Sequence, residues 1–246
     1  SSLYGSSAAT GVVNITTKKS KKPLTLIAKR TWGTEQAANQ ALNNFNAGNQ
    51  FVNLTGKLSK SGIGVNVTYA ERFSDGISAV VGDEVDQFKK VNFNAALNGE
   101  IGSQFNLQLS FNKDDITSDY DNSFPLEDAD FEFTTKLNRY ALNAQYKYAK
   151  GSLNLNAGLQ KNEREFKSSF PTMSESDNLN IDLFNKYIFN NKFYSIAGIQ
   201  YQKSTMEAAE NPENYQTDIY LNSVYLDPSG LNLNVGLRYN IHEAYG

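Results

Sequence analysis

The stretch that decides the fold is Leu231-Asn232-Leu233-Asn234-Val235-Gly236-Leu237-Arg238-Tyr239-Asn240-Ile241. The Leu, Val, Tyr and Ile side chains take every second position, and Asn, Gly and Arg fill the positions between. Successive side chains of a pleated strand point to opposite faces. The run therefore predicts a strand that is apolar on one face and polar on the other. The same two-residue period recurs upstream. Phe105, Leu107, Leu109 and Phe111 alternate with Gln, Asn and Ser over 104–112. Residues 63–69, 90–98 and 152–160 repeat it. Weaker strands are expected near 23–33, 50–59, 134–149, 178–189, 192–204 and 216–226.

The connections alternate too. Lys60-Ser61-Gly62, Gly102-Ser103, Lys150-Gly151, Asn190-Asn191 and Asp227-Pro228-Ser229-Gly230 read as tight hairpin turns. Between them lie long polar stretches, read as loops, near 34–49, 74–89, 114–133, 166–177 and 205–215. Short turns at one rim and long loops at the other are the anatomy of an outer-membrane barrel. Strand length agrees. Eleven residues span about 36 Å, and a tilt of about 45° leaves about 26 Å of height, close to the roughly 25 Å apolar band of such barrels. Trp32, Phe73, Tyr148, Phe189, Phe193 and Tyr225 fall near strand ends. They are read as an interfacial girdle, with edge packing as the alternative.

Composition excludes several classes. The chain has 246 residues, no cysteine, one histidine and a net charge of −3. A disulfide framework and a thiolate metal site are thereby ruled out. A His-rich metal site and an electrostatic nucleic-acid binder both lack the residues they need. Mean hydropathy is −0.51, although the chain carries 15 Phe and 14 Tyr. The aromatics are scattered among Asn, Gln, Ser, Thr and Gly. A wall with one lipid-facing and one watered face requires that mixture. His242 has no serine partner in a recognisable elbow, so it reads as a residue of the outer rim and not of a triad. Glu163 and Glu165 share a strand side with Lys161 and Lys167, which favours a salt-bridged strand extension over a glycosidase pair.

The start of the chain carries a specific pattern. Leu3-Tyr4-Gly5-Ser6-Ser7-Ala8-Ala9-Thr10-Gly11-Val12-Val13-Asn14-Ile15-Thr16-Thr17-Lys18 resembles the end of the plug domain of TonB-dependent outer-membrane receptors, which leads into the first barrel strand. Leu3, Tyr4, Gly5, Gly11, Val12, Asn14 and Ile15 carry the likeness, and Thr10 departs from it, a second Gly being common there. The resemblance implies an all-β chain in two parts. Residues 1–22 would close a plug, and 23–246 would form the N-terminal half of an antiparallel up-and-down transmembrane β-barrel, about 11 strands of 22. It implies a bacterial outer membrane, a lipid surround, an inner-membrane TonB energy-coupling complex and a scarce chelate, cobalamin or a ferric siderophore, as substrate. It implies transport and not catalysis. An odd strand count cannot close alone, so the chain is expected to be part of a longer wall.

The loop pattern is most similar to the cobalamin-receptor branch, in which acidic loop residues bind calcium. The resemblance places that role on Asp75, Asp83, Asp86, Asp115 and Asp121. Carboxylates are suitable hard-oxygen ligands for calcium. The same acids also read as a solvated rim that keeps the loops in water. Two other functions share parts of this pattern. A passive porin-like or structural barrel would have the same strands without a plug. A soluble β-rich carbohydrate-binding module would bury a closed core.

Overall fold

The computed structural model describes residues 23–35, 45–58, 62–78, 80, 85–207 and 211–243. They form β1 (Leu24–Gly33), β2 (Ala47–Leu58), β3 (Ile63–Ser74), β4 (Phe88–Ile101), β5 (Phe105–Ser123), β6 (Leu126–Tyr148), β7 (Gly151–Lys167), β8 (Thr172–Asn190), β9 (Phe193–Glu207), β10 (Glu213–Leu226) and β11 (Asn232–His242). All eleven lie in one sheet, in sequence order, and each pairs antiparallel with the next. This is the up-and-down meander that the alternation predicts. The plug pattern on Leu3, Tyr4, Gly5, Gly11, Val12, Asn14 and Ile15 lies outside the described residues, as does Asp83.

Register turns the alternation into two continuous faces. Asn98 on β4 pairs with Gln108 on β5, which pairs with Asn143 on β6 and then Asn156 on β7. One row along, Leu97 meets Leu109, Leu142 and Ala157. A one-residue slip would exchange the faces, so a pattern this regular pins the pairing. The apolar face is uncovered: Leu237, Val235 and Leu221 are 70 %, 68 % and 46 % exposed. Among the described residues the buried apolar side chains are Tyr220 and Val224 alone. A soluble sheet of this width would have to hide its apolar face. Among the described residues nothing covers either face, the arrangement expected when lipid wets one and water the other.

Three stretches read as loops are largely strand. Residues 114–133 form the outer parts of β5 and β6, joined by a tight turn between Ser123 and Leu126. Residues 166–177 contain the end of β7 and the start of β8, and 205–215 the ends of β9 and β10. The physical reason is that a hairpin ladder satisfies its own backbone groups in water as well as in lipid. It continues past the apolar band with polar side chains. β5, β6, β7 and β8 have 19, 23, 17 and 19 residues, well beyond the roughly 11 that a tilted strand needs to cross the band. The opposite rim is clipped short. Asn190 Oδ1 accepts from the N–H groups of Lys192 and Phe193 at 2.8 and 3.0 Å and closes one turn. Gly62 and Gly102, at φ 68° and 61°, supply left-handed residues for two others.

Candidate functional site

The polar face carries two saturated charge clusters. In the first, Asp114 on β5 is 6 % exposed. It accepts from Asn92 Nδ2 at 2.9 Å, and Arg139 Nη2 and Lys90 Nζ stand 3.1 and 3.7 Å away. Arg139 also donates to Asn112 Oδ1 at 2.9 Å. Asp114 thus belongs to the sheet and not to an outer loop, where the sequence reading grouped it. The second cluster spans β8 to β11. Asp218, 2 % exposed, accepts from Arg238 Nε at 2.9 Å, Asn240 Nδ2 at 2.8 Å and Gln216 Nε2 at 2.6 Å. Arg238 also donates to Gln200 and lies 5.2 Å over the Tyr220 ring. Tyr220 Oη donates to Asp182 Oδ1 at 2.8 Å. A buried carboxylate is tolerable only when paired and hydrogen-bonded, and both are. The first cluster ties β4, β5 and β6 together, and the second ties β8, β9, β10 and β11.

Glycine makes room for the second cluster. A Cβ on Gly198 would lie 2.5 Å from Tyr220 Cζ and 2.7 Å from Phe184 Cβ. The Tyr220 ring therefore lies in the notch that Gly198 leaves open on β9.

Beyond the apolar band, the polar side of the β5–β7 extension bears an aromatic cluster. Tyr120 stacks against Phe131 with centroids 5.6 Å apart, Phe133 against Phe166 at 4.5 Å, and Tyr120 against Phe166 at 6.5 Å. Phe166 is 42 % exposed. The sequence reading missed this cluster because it assigned 114–133 to a loop. The Phe131–Phe133 spacing was the available signal, being strand periodicity inside an acidic stretch. Outside the sheet plane, Lys167 Nζ bonds Glu132 Oε1 at 2.5 Å. That hydrogen bond and the carboxylate charge hold the ammonium above its ordinary value.

Of the acidic residues assigned to calcium, Asp75 and Asp86 lie in the β3–β4 connection, Asp121 reaches that connection from the β5–β6 hairpin, Asp115 lies on β5, and Asp83 is outside the described residues. Asp121 Oδ2 accepts from Ser78 Oγ at 3.0 Å and from the Val80 N–H at 2.9 Å, and Oδ1 accepts from the Ala129 N–H at 3.3 Å. It is a staple between the β3–β4 connection and the β5–β6 hairpin. Asp75 donates its backbone N–H to Asn46 O at 2.8 Å, and Gly76 backs closely onto the Asp86 backbone. Asp115 sits further down β5, where its carboxylate meets Lys113 at 2.6 Å. Among the described residues no three His or acidic side chains converge as a metal cage would require. Trp32, Phe73, Tyr148, Phe193 and Tyr225 fall on the outward parity of their strands, and Phe189, at the irregularity in β8, stacks against Phe193 with centroids 4.9 Å apart.

No family model matches the chain, and no curated relative matches it. Solved structures do. The siderophore receptor PirA of Acinetobacter baumannii superimposes with a TM-score of 0.77 at 14 % identity, over 98 % of this chain. The ferric enterobactin receptor PfeA of Pseudomonas aeruginosa, as its G324V mutant, gives 0.80 at 13 % over 100 %. The ferric yersiniabactin uptake receptor FyuA of Yersinia pestis gives 0.67 at 15 % over 97 %. The fold is a partial β-barrel of the receptor type. This partial barrel spans about two fifths of those receptors, covering 42 %, 43 % and 42 % of their chains.

Proposed function

We propose that the chain is part of the wall of a bacterial outer-membrane transporter that takes up a scarce chelate actively, by way of an inner-membrane TonB complex. The observation that carries this is a single meander with an uncovered apolar face, a polar opposite face and strands that outgrow the membrane on one side only. Its superposition on three siderophore receptors along nearly its whole length adds support. Those receptors favour a ferric siderophore over cobalamin as the substrate class. Tyr120, Phe131, Phe133 and Phe166 would offer flat apolar faces to the ring groups of a chelate arriving from outside. The residues matching the plug pattern would belong to the segment that closes the lumen. Calcium on Asp75, Asp83, Asp86 and Asp121 is part of the same proposal, with Asp115 set apart by its Lys113 partner.

The test is growth. A strain lacking the gene for the complete protein is supplied with iron as one ferric siderophore at a time. Loss of growth on at least one, rescued by the parent gene but poorly by Phe133→Ala with Phe166→Ala, is the expected result. Equal growth of the deletion strain on every chelate, cobalamin included, would remove active uptake and leave a passive or structural barrel.

A further inference from the structure

Two neighbouring hairpins end in the same triplet, Ser123-Phe124-Pro125 between β5 and β6 and Ser169-Phe170-Pro171 between β7 and β8. Both phenylalanines stand in open solvent, 93 % and 86 % exposed, and Leu126 and Met173 beside them are mostly exposed too. A lone exposed apolar side chain is ordinary. Here the same ring is set twice, at the apices of adjacent hairpins, with a second apolar side chain next to each. The backbone holds both rings out. The Phe124 N–H donates to Asn122 Oδ1 at 3.5 Å and the Phe170 N–H to Ser168 Oγ at 3.1 Å. The proline that follows narrows the conformations open to each.

Lipid does not account for these rings. β6 and β7 have 23 and 17 residues, against the roughly 11 of a crossing, so the tips stand roughly 25 and 15 Å above the apolar band. The aromatic cluster does not use them either, since Tyr120, Phe131, Phe133 and Phe166 stack lower on the same strands. Two strand spacings across and about five residues along the strands put the tips roughly 15–20 Å apart, within the footprint of one protein partner. Shape and charge define that partner. A ring alone at an apex is a knob, and a knob fits an apolar cleft. Glu127, Asp128 and Asp130 stand exposed behind Phe124, with no ion pair to them among the described residues, whereas Glu132 meets Lys167. No lysine or arginine lies between Lys113 and Lys136. Buried aromatic anchors dominate the energy of protein interfaces, and a potential of one sign favours a partner of the other. Resting on the membrane reading above, we propose that the two tips dock a protein on the outer side of the membrane whose contact face is cationic around an apolar cleft. Phe124 enters the cleft with Leu126 at its edge, Phe170 and Met173 make a second contact, and Glu127, Asp128 and Asp130 meet the cations.

Photocrosslinking on intact cells tests this. The complete protein carries Phe124→p-benzoylphenylalanine or Phe170→p-benzoylphenylalanine, with Leu237→p-benzoylphenylalanine on the lipid face as the control. Irradiation should join one and the same protein to both tips and not to position 237. That protein is identified by mass spectrometry, purified and titrated against the complete protein in detergent. Phe124→Ser should weaken the complex by about tenfold or more. Glu127→Gln, Asp128→Asn and Asp130→Asn combined should weaken it by about fivefold and remove most of its salt dependence. No protein adduct at either tip overturns the proposal. So do an adduct with surface glycan only, different proteins at the two tips, or binding indifferent to the charge substitutions. A protein found in the outer-membrane fraction with no adduct at its tips refutes this inference alone. Recovery in the soluble fraction of the cells refutes the membrane reading itself.

Discussion

Gly198→Ala is the sharpest test of the packing on the polar face. The new methyl would stand 2.5 Å from Tyr220 Cζ, 2.6 Å from its Oη and 2.7 Å from Phe184 Cβ. Carbon atoms rest about 3.5–4.0 Å apart, so the methyl would overlap both Tyr220 and Phe184 by about 1 Å. Phe184 and Gly198 face one another across paired strands, and Tyr220 is 4 % exposed, so the ring has little room to retreat. Overpacking of this kind costs about 1–3 kcal/mol. If the ring swings out it also forfeits the bond to Asp182 at 2.8 Å and its place beneath Arg238. A hydrogen bond to a charged group contributes about 1.5–3 kcal/mol. The sum is roughly 2–4 kcal/mol, because the two losses partly replace each other. The assay is urea unfolding of the complete protein folded into phospholipid vesicles. Gly158→Ala is the control, since a methyl there would meet only the Tyr140 carbonyl oxygen, at 3.8 Å. Gly158→Ala should be neutral within about 0.5 kcal/mol. If Gly198→Ala is equally neutral, the notch is no constraint and the reasoning fails.

Arg238→Met should destabilise by about 3 kcal/mol, since it leaves Asp218, 2 % exposed, without its cation; Arg238→Lys should recover only part in the same unfolding assay. Asp121→Ala should free the Ser78–Val80 segment, read as faster limited proteolysis between β3 and β4 with an unchanged unfolding midpoint for the barrel. Leu142→Arg puts a charge on the lipid face and should cost about 2–4 kcal/mol near the midplane, while Asn143→Arg next to it should cost under about 1 kcal/mol. Equal costs at the two positions would mean that the faces are assigned wrongly.

Strand identity and face were legible wherever period two was clean, as at 104–112 and 231–241. Strand ends were not. The β5–β6 extension mixes Asp, Ser and Asn with Tyr and Phe, and the local signal there resembles a loop because no lipid demands apolar residues on one side. Pro125 also reads as a breaker, yet it sits in the turn that joins the two extended strands. The clusters were out of reach for another reason. Asp218 and Arg238 are 20 residues apart and meet only through the β10–β11 register, on one face and two residues off the direct pairs Asp218↔Asn240 and Tyr220↔Arg238. The same holds for Gly198 and Tyr220, whose fit depends on a pairing that no local window contains. The sequence places Asp121 among the loop acids but carries no sign that it accepts from the Ser78 hydroxyl and the Val80 N–H, more than 40 residues upstream.

The most direct test of the central claim returns to β11. The chain contains no cysteine, so single cysteines can be placed one at a time at positions 231–241 and spin-labelled without background. Collision with oxygen, which concentrates in lipid, and with a water-soluble nickel chelate is then measured for the complete protein in bilayers. The expected result is a two-residue alternation, with oxygen favoured at 233, 235, 237 and 239 and the nickel chelate or protein shielding at 234, 236, 238 and 240. An absent alternation, or one with the odd positions in water, would contradict it.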